Sequence, residues 1–236
     1  MIVAAAICPS PPLLASGITG QAEILPELRA ACAAAVADLL AAAPDVVVVV
    51  GPADATTPFD PTGALSLASY APALRANGHV PSTPALPLAL GIGGLLLDEA
   101  SYQGPRTYQG IAEYEPAAAC LALGAEIATS APRVALLAMG DGTARRSLSA
   151  PGYLDERAAP FDEAVERAVR AADLSALAAL DSTLAADLLA AGRPAWQSLA
   201  GALSTFHPGG AGPLQTKVLY SDAPLGVAYL VATLIP

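Results

Sequence analysis

The sequence predicts an α/β fold, a three-layer αβα sandwich in which helices cover both faces of a mostly parallel central sheet. Three continuous apolar runs, residues 1–8, 45–50 and 133–139, lack apolar–polar alternation, which indicates strands buried on both faces. Segments with apolar residues at helical spacing separate these runs, and such alternation of strands and helices is typical of parallel α/β sheets. The chain has 236 residues, and we expect a single domain spanning 1–236.

The first half of the chain begins with a strand, a helix and a second strand. The strand 1–8 ends at the proline-rich sequence PSPP. Pro26 suits the first turn of a helix, and Leu28, Cys32 and Val36 then recur at helical spacing until Pro44. The β-branched strand 45–50 follows and ends at a Gly-Pro turn.

The middle of the chain carries weaker patterns. The sequence GALSLASY at 63–70 favours a further strand, and residues 86–100 predict a helix entered through Pro87. The glycines at 91–94 neither follow a strand nor open a helix, so they indicate close helix packing and not a phosphate loop. A short strand is predicted at 108–111 and a helix at 115–129.

The last third of the chain predicts helices followed by an antiparallel hairpin. Residues 162–202 have the pattern of successive short helices, broken at Asp173, at Asp181 and at 192–194. Residues 216–222 and 226–235 read as two strands joined by a turn around 222–224, which gives a C-terminal antiparallel element.

Composition excludes several functional classes. The net charge of −10 disfavours nucleic acid and anionic membranes, because the field of the whole molecule repels both. The N-terminus lacks a positively charged leader, and the longest apolar segment is too short and glycine-rich to span a bilayer, so we expect a soluble, cytoplasmic protein without membrane partners. Three widely spaced cysteines suggest neither a disulfide framework nor a metal site.

Parallel sheets bind ligands at the carboxyl ends of their strands, and three such ends carry sequence motifs. These are CPSPPLL at 8–14, VVVVVGPAD at 46–54, and MGDGTARRSLSAPGY at 139–153, the last followed by FDEAVERAV at 161–169. Together with LPLALGIGGLLLDEA and the final APLGVAYLVATL, in this order, they resemble the class III extradiol ring-cleavage dioxygenases. The resemblance is to the branch that contains the β-chain of protocatechuate 4,5-dioxygenase and the Memo proteins, and it covers nearly the whole chain.

The resemblance implies an iron site whose histidines are missing here. In that family two of these turns supply histidine ligands to Fe(II), and the matching positions are Ser10 and Ala53. The third turn supplies an acid/base histidine, and its position is Ala144. The family also uses a C-terminal glutamate ligand, but no glutamate follows Glu166; Asp187 and Asp222 are possible substitutes that do not align with it.

Polar residues beside these positions are the remaining candidates for a pocket. Asp54 and Asp141 either bond to local backbone amides, as turn aspartates commonly do, or face one crevice and bind a cation or a basic ligand. Thr143 and Arg145 are further pocket candidates; with Arg146, Arg145 forms either a solvated pair or a clamp for an acidic ligand.

Other residues with chemical potential have simpler interpretations. The histidines of the chain, His79 and His207, lie in proline- and glycine-rich loops, and only His207 is a pocket candidate. Ser10 lacks the GxSxG context and an evident histidine base, so we expect it to bond to backbone groups and not to act as a nucleophile. We interpret Trp196 and Tyr153 as packing residues that could also line a pocket for a planar ligand.

Three functions are compatible with these observations. The first is a catalytically degenerate extradiol dioxygenase-like protein that binds a small molecule or pairs with another protein, without a cofactor. The second is an enzyme of the same fold with altered chemistry, without metal or with Fe(II) or another divalent metal relocated to Asp54, Asp141 and His207. The third is genuine aromatic ring cleavage, which the loss of the ligands and the acid/base disfavours. The resemblance also implies a homo-oligomer or pairing with another subunit.

Overall fold

A computed structural model describes residues 1–15, 24–66, 84–205 and 214–236. In chain order, the seven strands of its main sheet are β1 (Ile2–Cys8), β2 (Val46–Ala53), β3 (Thr57–Phe59), β6 (Arg106–Ala112), β7 (Val134–Met139), β8 (Gln215–Asp222) and β9 (Tyr229–Ile235). Across the sheet they lie in the order β3-β6-β2-β7-β1-β9-β8. Two short strands, β4 (Ala64–Leu65) and β5 (Ala85–Leu86), form a separate parallel pair.

The four central strands are mutually parallel, because β2 pairs in parallel with β6 and β7, and β7 pairs in parallel with β1. Both flanks are antiparallel: β3 pairs with β6 on one side, and β9 pairs with β1 and then with β8 on the other. The carboxyl ends of β1, β2, β6 and β7 therefore meet at one edge of the sheet, which we call the carboxyl edge.

Helices cover both faces of this sheet. The helices are α1 (Pro26–Ala41), α2 (Leu88–Glu99), α3 (Ala117–Ala128), α4 (Ala158–Arg170), α5 (Leu174–Ala178), α6 (Ser182–Asp187) and α7 (Arg193–Ser204). Alternate residues of each buried strand enter two separate hydrophobic clusters. Val48 and Val50 pack in the cluster that contains α3 to α7, whereas Val47 and Val49 pack in the cluster that contains α1 and α2. The strands are apolar throughout because both of their faces are covered.

The predicted α/β class is confirmed, and several predicted elements are found close to their expected bounds. Helix α1 begins at Pro26, and Asp173 and Asp181 cap α5 and α6 by accepting bonds from backbone amides of the first turn. The predicted role of residues 91–94 in close packing is also confirmed. A Cβ added at Gly93 would lie 2.5 Å from Val49 Cγ1, and one at Gly94 would lie 2.6 Å from the Tyr108 hydroxyl.

Other expectations are corrected. The strand predicted at 108–111 is longer, and it lies inside the parallel part of the sheet. The segment 63–70 contributes only Ala64–Leu65 to a strand, and residues 67–70 of it lie outside the described part of the chain. Strand β3 was not predicted because it has three residues and no apolar run. Within the described ranges, no helix is both long and apolar enough to cross a membrane.

Candidate functional site

Residues after β1 and β7 are joined at the carboxyl edge by the partly buried carboxylate of Asp141. The backbone amide of Ser10 donates to Asp141 Oδ1 at 2.6 Å, and the Gly140 amide donates to the carbonyl of Cys8 at 3.0 Å. Burial raises the pKa of Asp141 to about 6, although hydrogen bonds from the Ser10 amide and hydroxyl oppose this rise. Asp141 was expected either to bond to local backbone amides or to bind a ligand. It does bond to a backbone amide, but that amide belongs to Ser10, on the loop after β1.

Two glycines let the chain before α7 approach this loop. Gly192 donates its amide to the carbonyl of Asp141 at 2.8 Å. A Cβ on Gly140, whose φ is +147°, would lie 2.5 Å from the Cα of Gly192, so a larger residue would separate the two segments. The start of α7 is therefore fixed against the end of β7.

A second buried polar group stabilises the rest of the loop after β7. Asp162, on α4, accepts bonds from the Thr143 amide at 3.0 Å and the Thr143 hydroxyl at 2.6 Å. It also pairs with Arg146 at 3.0 Å. Burial raises the pKa of Asp162, and these three hydrogen bonds oppose the rise. Thr143 is fully buried in this cluster and does not line the crevice described below.

The two arginines of the loop do not form a solvated pair. Arg146 is paired with Asp162, and Arg145 donates from Nη1 to the carbonyl of Gly152 at 2.7 Å. Ala144 also bonds through its backbone, donating to the carbonyl of Leu188 at 3.1 Å. The loop is therefore folded on itself, and Arg145 serves its internal structure.

A crevice of about 690 Å³ opens beside the end of β2, and we call it the edge crevice. Its described lining is Pro52, Ala53, Asp54, Ala55, Phe59, Ala85, Leu86, Pro87, Leu88, Glu113, Leu189 and Ala191. Of the predicted site residues, Ala53 and Asp54 line this crevice, whereas Ser10, Asp141, Thr143, Ala144 and Arg145 do not. The carboxylates of Asp54 and Asp141 therefore do not share one cavity, and His207, like His79, lies outside the described residues.

Among the crevice residues that sequence reasoning missed, Glu113 is the one that carries a charge. It follows Ala112, where β6 ends in register with Ala53 of β2. A strand predicted two residues longer would have placed Glu113 at the same edge as Asp54. Both carboxylates are exposed, and they are the charged groups in the described lining of the crevice.

A buried arginine fixes the turn that carries Glu113. Arg193, at the start of α7, is 1% exposed and donates to the carbonyl of Glu115 at 2.6 Å and to the carbonyl of Glu113. It also donates to Gln197 Oε1 at 2.9 Å. Its charge is therefore satisfied by neutral oxygens, and it holds the turn after β6 against α7. The sequence carried no signal for this role, because the contacts join residues about 80 positions apart.

The residues at the carboxyl edge do not fit the iron centre that the resemblance implies. The Ser10 amide and hydroxyl bond to Asp141, and the alanines at 53 and 144 have no side-chain lone pair. Asp187 pairs with Arg157 at 3.3 Å, and Asp222 accepts a bond from the Ala223 amide. Within the part of the chain with described coordinates, no group of three or more histidine, cysteine, aspartate or glutamate side chains could hold a metal ion.

Comparison with known proteins supports the fold and leaves the family open. No family model matches this chain, and no curated protein matches it significantly. Among solved structures, the crystal structure of uncharacterized protein JW3007 from Escherichia coli K12 is similar to it, with a TM-score of 0.51 and 16% sequence identity. The match covers 99% of this chain and 100% of that chain. At this identity the similarity shows a shared α/β fold over the full length and nothing about activity.

Proposed function

We propose that the chain is a catalytically degenerate relative of the class III extradiol dioxygenases, which binds a small molecule without cleaving an aromatic ring. The observation that carries the proposal is the side-chain set of the edge crevice. Its described lining offers an apolar surface and two carboxylates, with no nitrogen or sulfur ligand for a metal. The proposal takes the sheet and its two helix layers as the αβα sandwich of that family.

The chemistry of the carboxyl edge supports binding over ring cleavage. Extradiol cleavage needs a metal to activate oxygen and a group that moves the phenolic proton. Asp141 is the group at this edge whose pKa lies near neutrality, but its carboxylate accepts bonds from Ser10 and does not line the edge crevice. The side chains that line the edge crevice can bind and orient a ligand, but they do not activate oxygen.

The lining also defines which ligands suit the edge crevice. Phe59, Leu86 and Leu88 offer apolar surface, and a volume near 690 Å³ lies within the usual range for small-molecule sites. Asp54 and Glu113 place negative charge at the rim, which repels an acidic ligand. Neutral or cationic ligands with an apolar body are therefore expected, and catechol should bind better than the carboxylate-bearing protocatechuate.

The absence of ring cleavage is tested with reconstituted protein. The full chain is incubated anaerobically with Fe(II), dialysed, and assayed for retained iron and for oxygen uptake with catechol and protocatechuate. We expect no stoichiometric iron to survive dialysis and no uptake above a protein-free Fe(II) control. Near-stoichiometric iron with substrate-dependent oxygen uptake would overturn the proposal in favour of a genuine dioxygenase.

Binding at the edge crevice is tested by filling it. Nile red fluorescence reports binding to apolar sites, and Ala53→Trp should weaken that binding at least about tenfold because the indole occupies the crevice. Ala55→Trp fills the same crevice from an exposed position, so it tests the idea even if Ala53→Trp folds poorly. The control is Ala164→Trp, in an apolar groove between α4, α5 and α6. If both crevice variants bind the dye like the wild type, ligand binding at this site is refuted.

A further inference from the structure

A second pocket, of about 250 Å³, lies between α4 and the hairpin formed by β8 and β9, with Trp196 of α7 in its lining. We call it the side pocket, and it has no described lining residue in common with the edge crevice. Its volume is several times the roughly 30 Å³ that one water molecule occupies. It is below the roughly 300 Å³ at which sites for drug-sized ligands begin. The side pocket is therefore suited to a small organic molecule.

The lining of the side pocket contains a buried hydrogen-bond donor. Trp196 is 1% exposed, and among the described residues no group accepts a hydrogen bond from its indole Nε1–H. An indole nitrogen can only donate, and buried donors in folded proteins are almost always paired with protein or with a bound molecule. Because Trp196 lines the side pocket, we expect a molecule bound there to supply the acceptor.

Close packing against a glycine holds the indole of Trp196 in place. A Cβ added at Gly192 would lie 2.4 Å from Cζ2 and 2.5 Å from Cε2 of Trp196, so a larger residue there would displace the ring. Gly192 is itself fixed, because its amide donates to the carbonyl of Asp141 at 2.8 Å. Nε1 is bonded to Cε2, so the donor is fixed together with the ring. A ligand therefore meets an N–H group that is already ordered, which lowers the entropic cost of binding.

The described lining of the side pocket carries more negative than positive charge. One guanidinium, of Arg146, lines it together with four carboxylates, those of Asp162, Glu163, Glu166 and Asp222. Arg146 pairs with Asp162 at 3.0 Å, and Glu166 pairs with Arg170 at 2.7 Å. The two other carboxylates give the pocket its excess of negative charge, which attracts a cation and repels an anion.

Those two carboxylates are accessible to a ligand. Glu163 lies 3.9 Å from Arg167 on the same helix, and both side chains are at least 65% exposed, so the pair is weak. Asp222 is exposed, and among the described residues it accepts a bond from a neutral donor, the Ala223 amide, at 2.7 Å. A cationic group in the side pocket can therefore bind to either carboxylate without breaking a strong ion pair.

From these observations we propose that the side pocket binds a small organic cation that also carries a neutral oxygen, of the amino alcohol class. The oxygen accepts the Trp196 N–H, and the ammonium group pairs with Glu163 or Asp222. An anionic ligand is repelled by the carboxylates, and an alkylamine leaves the indole donor without an acceptor. The site and its ligand class are independent of the small molecule proposed for the edge crevice.

The proposal is tested through the fluorescence of Trp196, which is the single tryptophan of the chain. The full chain is titrated with ethanolamine, 3-aminopropan-1-ol and 5-aminopentan-1-ol to about 50 mM at about pH 7, where the amines are protonated, and at constant ionic strength. We expect at least one of them to change the emission saturably, with a Kd of about 10 mM or lower, since ligands with so few atoms bind weakly. The alkylamine and the diol of the same length should bind at least about fivefold more weakly, and glycolate should have no effect.

Variants locate the two contacts. Glu163→Gln combined with Asp222→Asn should raise the Kd of the amino alcohol at least about fivefold, because it removes both accessible charges. The matched control, Asp38→Asn combined with Glu126→Gln, removes two exposed carboxylates from α1 and α3, outside the side pocket, and should change the Kd less than about twofold. Trp196→Phe, followed by calorimetry, should remove the preference for the amino alcohol over the alkylamine.

The outcomes separate this proposal from the one for the edge crevice. No saturable change with any of the three amino alcohols overturns it, because water then suffices as the acceptor. Equal binding of alkylamine and amino alcohol, or equal weakening by the control pair, overturns it as well. Ala53→Trp should leave amino alcohol binding unchanged by calorimetry, and its loss in that variant would place the ligand in the edge crevice. The Glu163→Gln, Asp222→Asn protein should bind Nile red like the wild type, so failure of one proposal leaves the other standing.

Discussion

Replacing Asp141 with asparagine removes a partly buried carboxylate that joins two loops. The carboxylate accepts the Ser10 amide at 2.6 Å, and an asparagine side-chain oxygen can accept the same bond. Burial raises the pKa of Asp141 from its ordinary value of 3.8 to about 6. The ionised form is therefore less favourable in the folded protein than in the unfolded chain.

The sign and size of the effect follow from proton linkage. Because the pKa is raised on folding, the folded state holds the proton more tightly, and stability falls as pH rises from about 4 to about 6. Each pKa unit corresponds to about 1.4 kcal/mol, so a rise of roughly two units costs about 3 kcal/mol at about pH 7.5 and about 1 kcal/mol at about pH 4.5. Below the unfolded pKa this cost disappears.

The assay is urea unfolding of wild type and Asp141→Asn at several pH values between about 4.5 and about 7.5. The free energy of unfolding of Asp141→Asn, relative to that of the wild type, should rise by about 2 kcal/mol from the lowest to the highest pH, because only the wild type carries the titrating carboxyl group. Asp54→Asn, at an exposed position on the same edge, serves as the control; it keeps Asp141, so its stability should stay within about 0.5 kcal/mol of the wild type at each pH. Parallel pH profiles for wild type and Asp141→Asn would refute the reasoning.

Two further predictions concern the packing of α7. Arg193→Met should destabilise the protein by roughly 2–4 kcal/mol, because it removes the buried donor that the carbonyls of Glu113 and Glu115 and Gln197 Oε1 share. Urea unfolding measures this, and the exposed Arg167→Met should change stability by less than about 0.5 kcal/mol. Gly124→Ala should cost at least about 2 kcal/mol in the same assay, because a Cβ there would lie 1.9 Å from the carbonyl oxygen of Ser198; a stability within about 0.5 kcal/mol of wild type would show that the helices separate easily.

The local patterns of the sequence determined the class of fold. Continuous apolar strands predict burial on both faces, and β2 is buried in this way. Val48 and Val50 pack in one hydrophobic cluster, and Val47 and Val49 pack in the other. Capping and breaking residues such as Asp173 and Asp181 placed helix boundaries correctly, because each acts within one turn of its own position. The three motif-bearing strand ends likewise lie at one edge, since parallel strands share their direction.

The tertiary structure alone decided which of those residues share a cavity. Asp54 and Asp141 both follow parallel strands, yet one lines the edge crevice and the other bonds to Ser10 across 131 positions of sequence. Glu113 and Arg193 had no local signature, because their roles depend on where β6 ends and which carbonyls α7 meets. Periodicity reports which face of an element is buried, whereas contacts between loops depend on strand order and register, which no local pattern encodes.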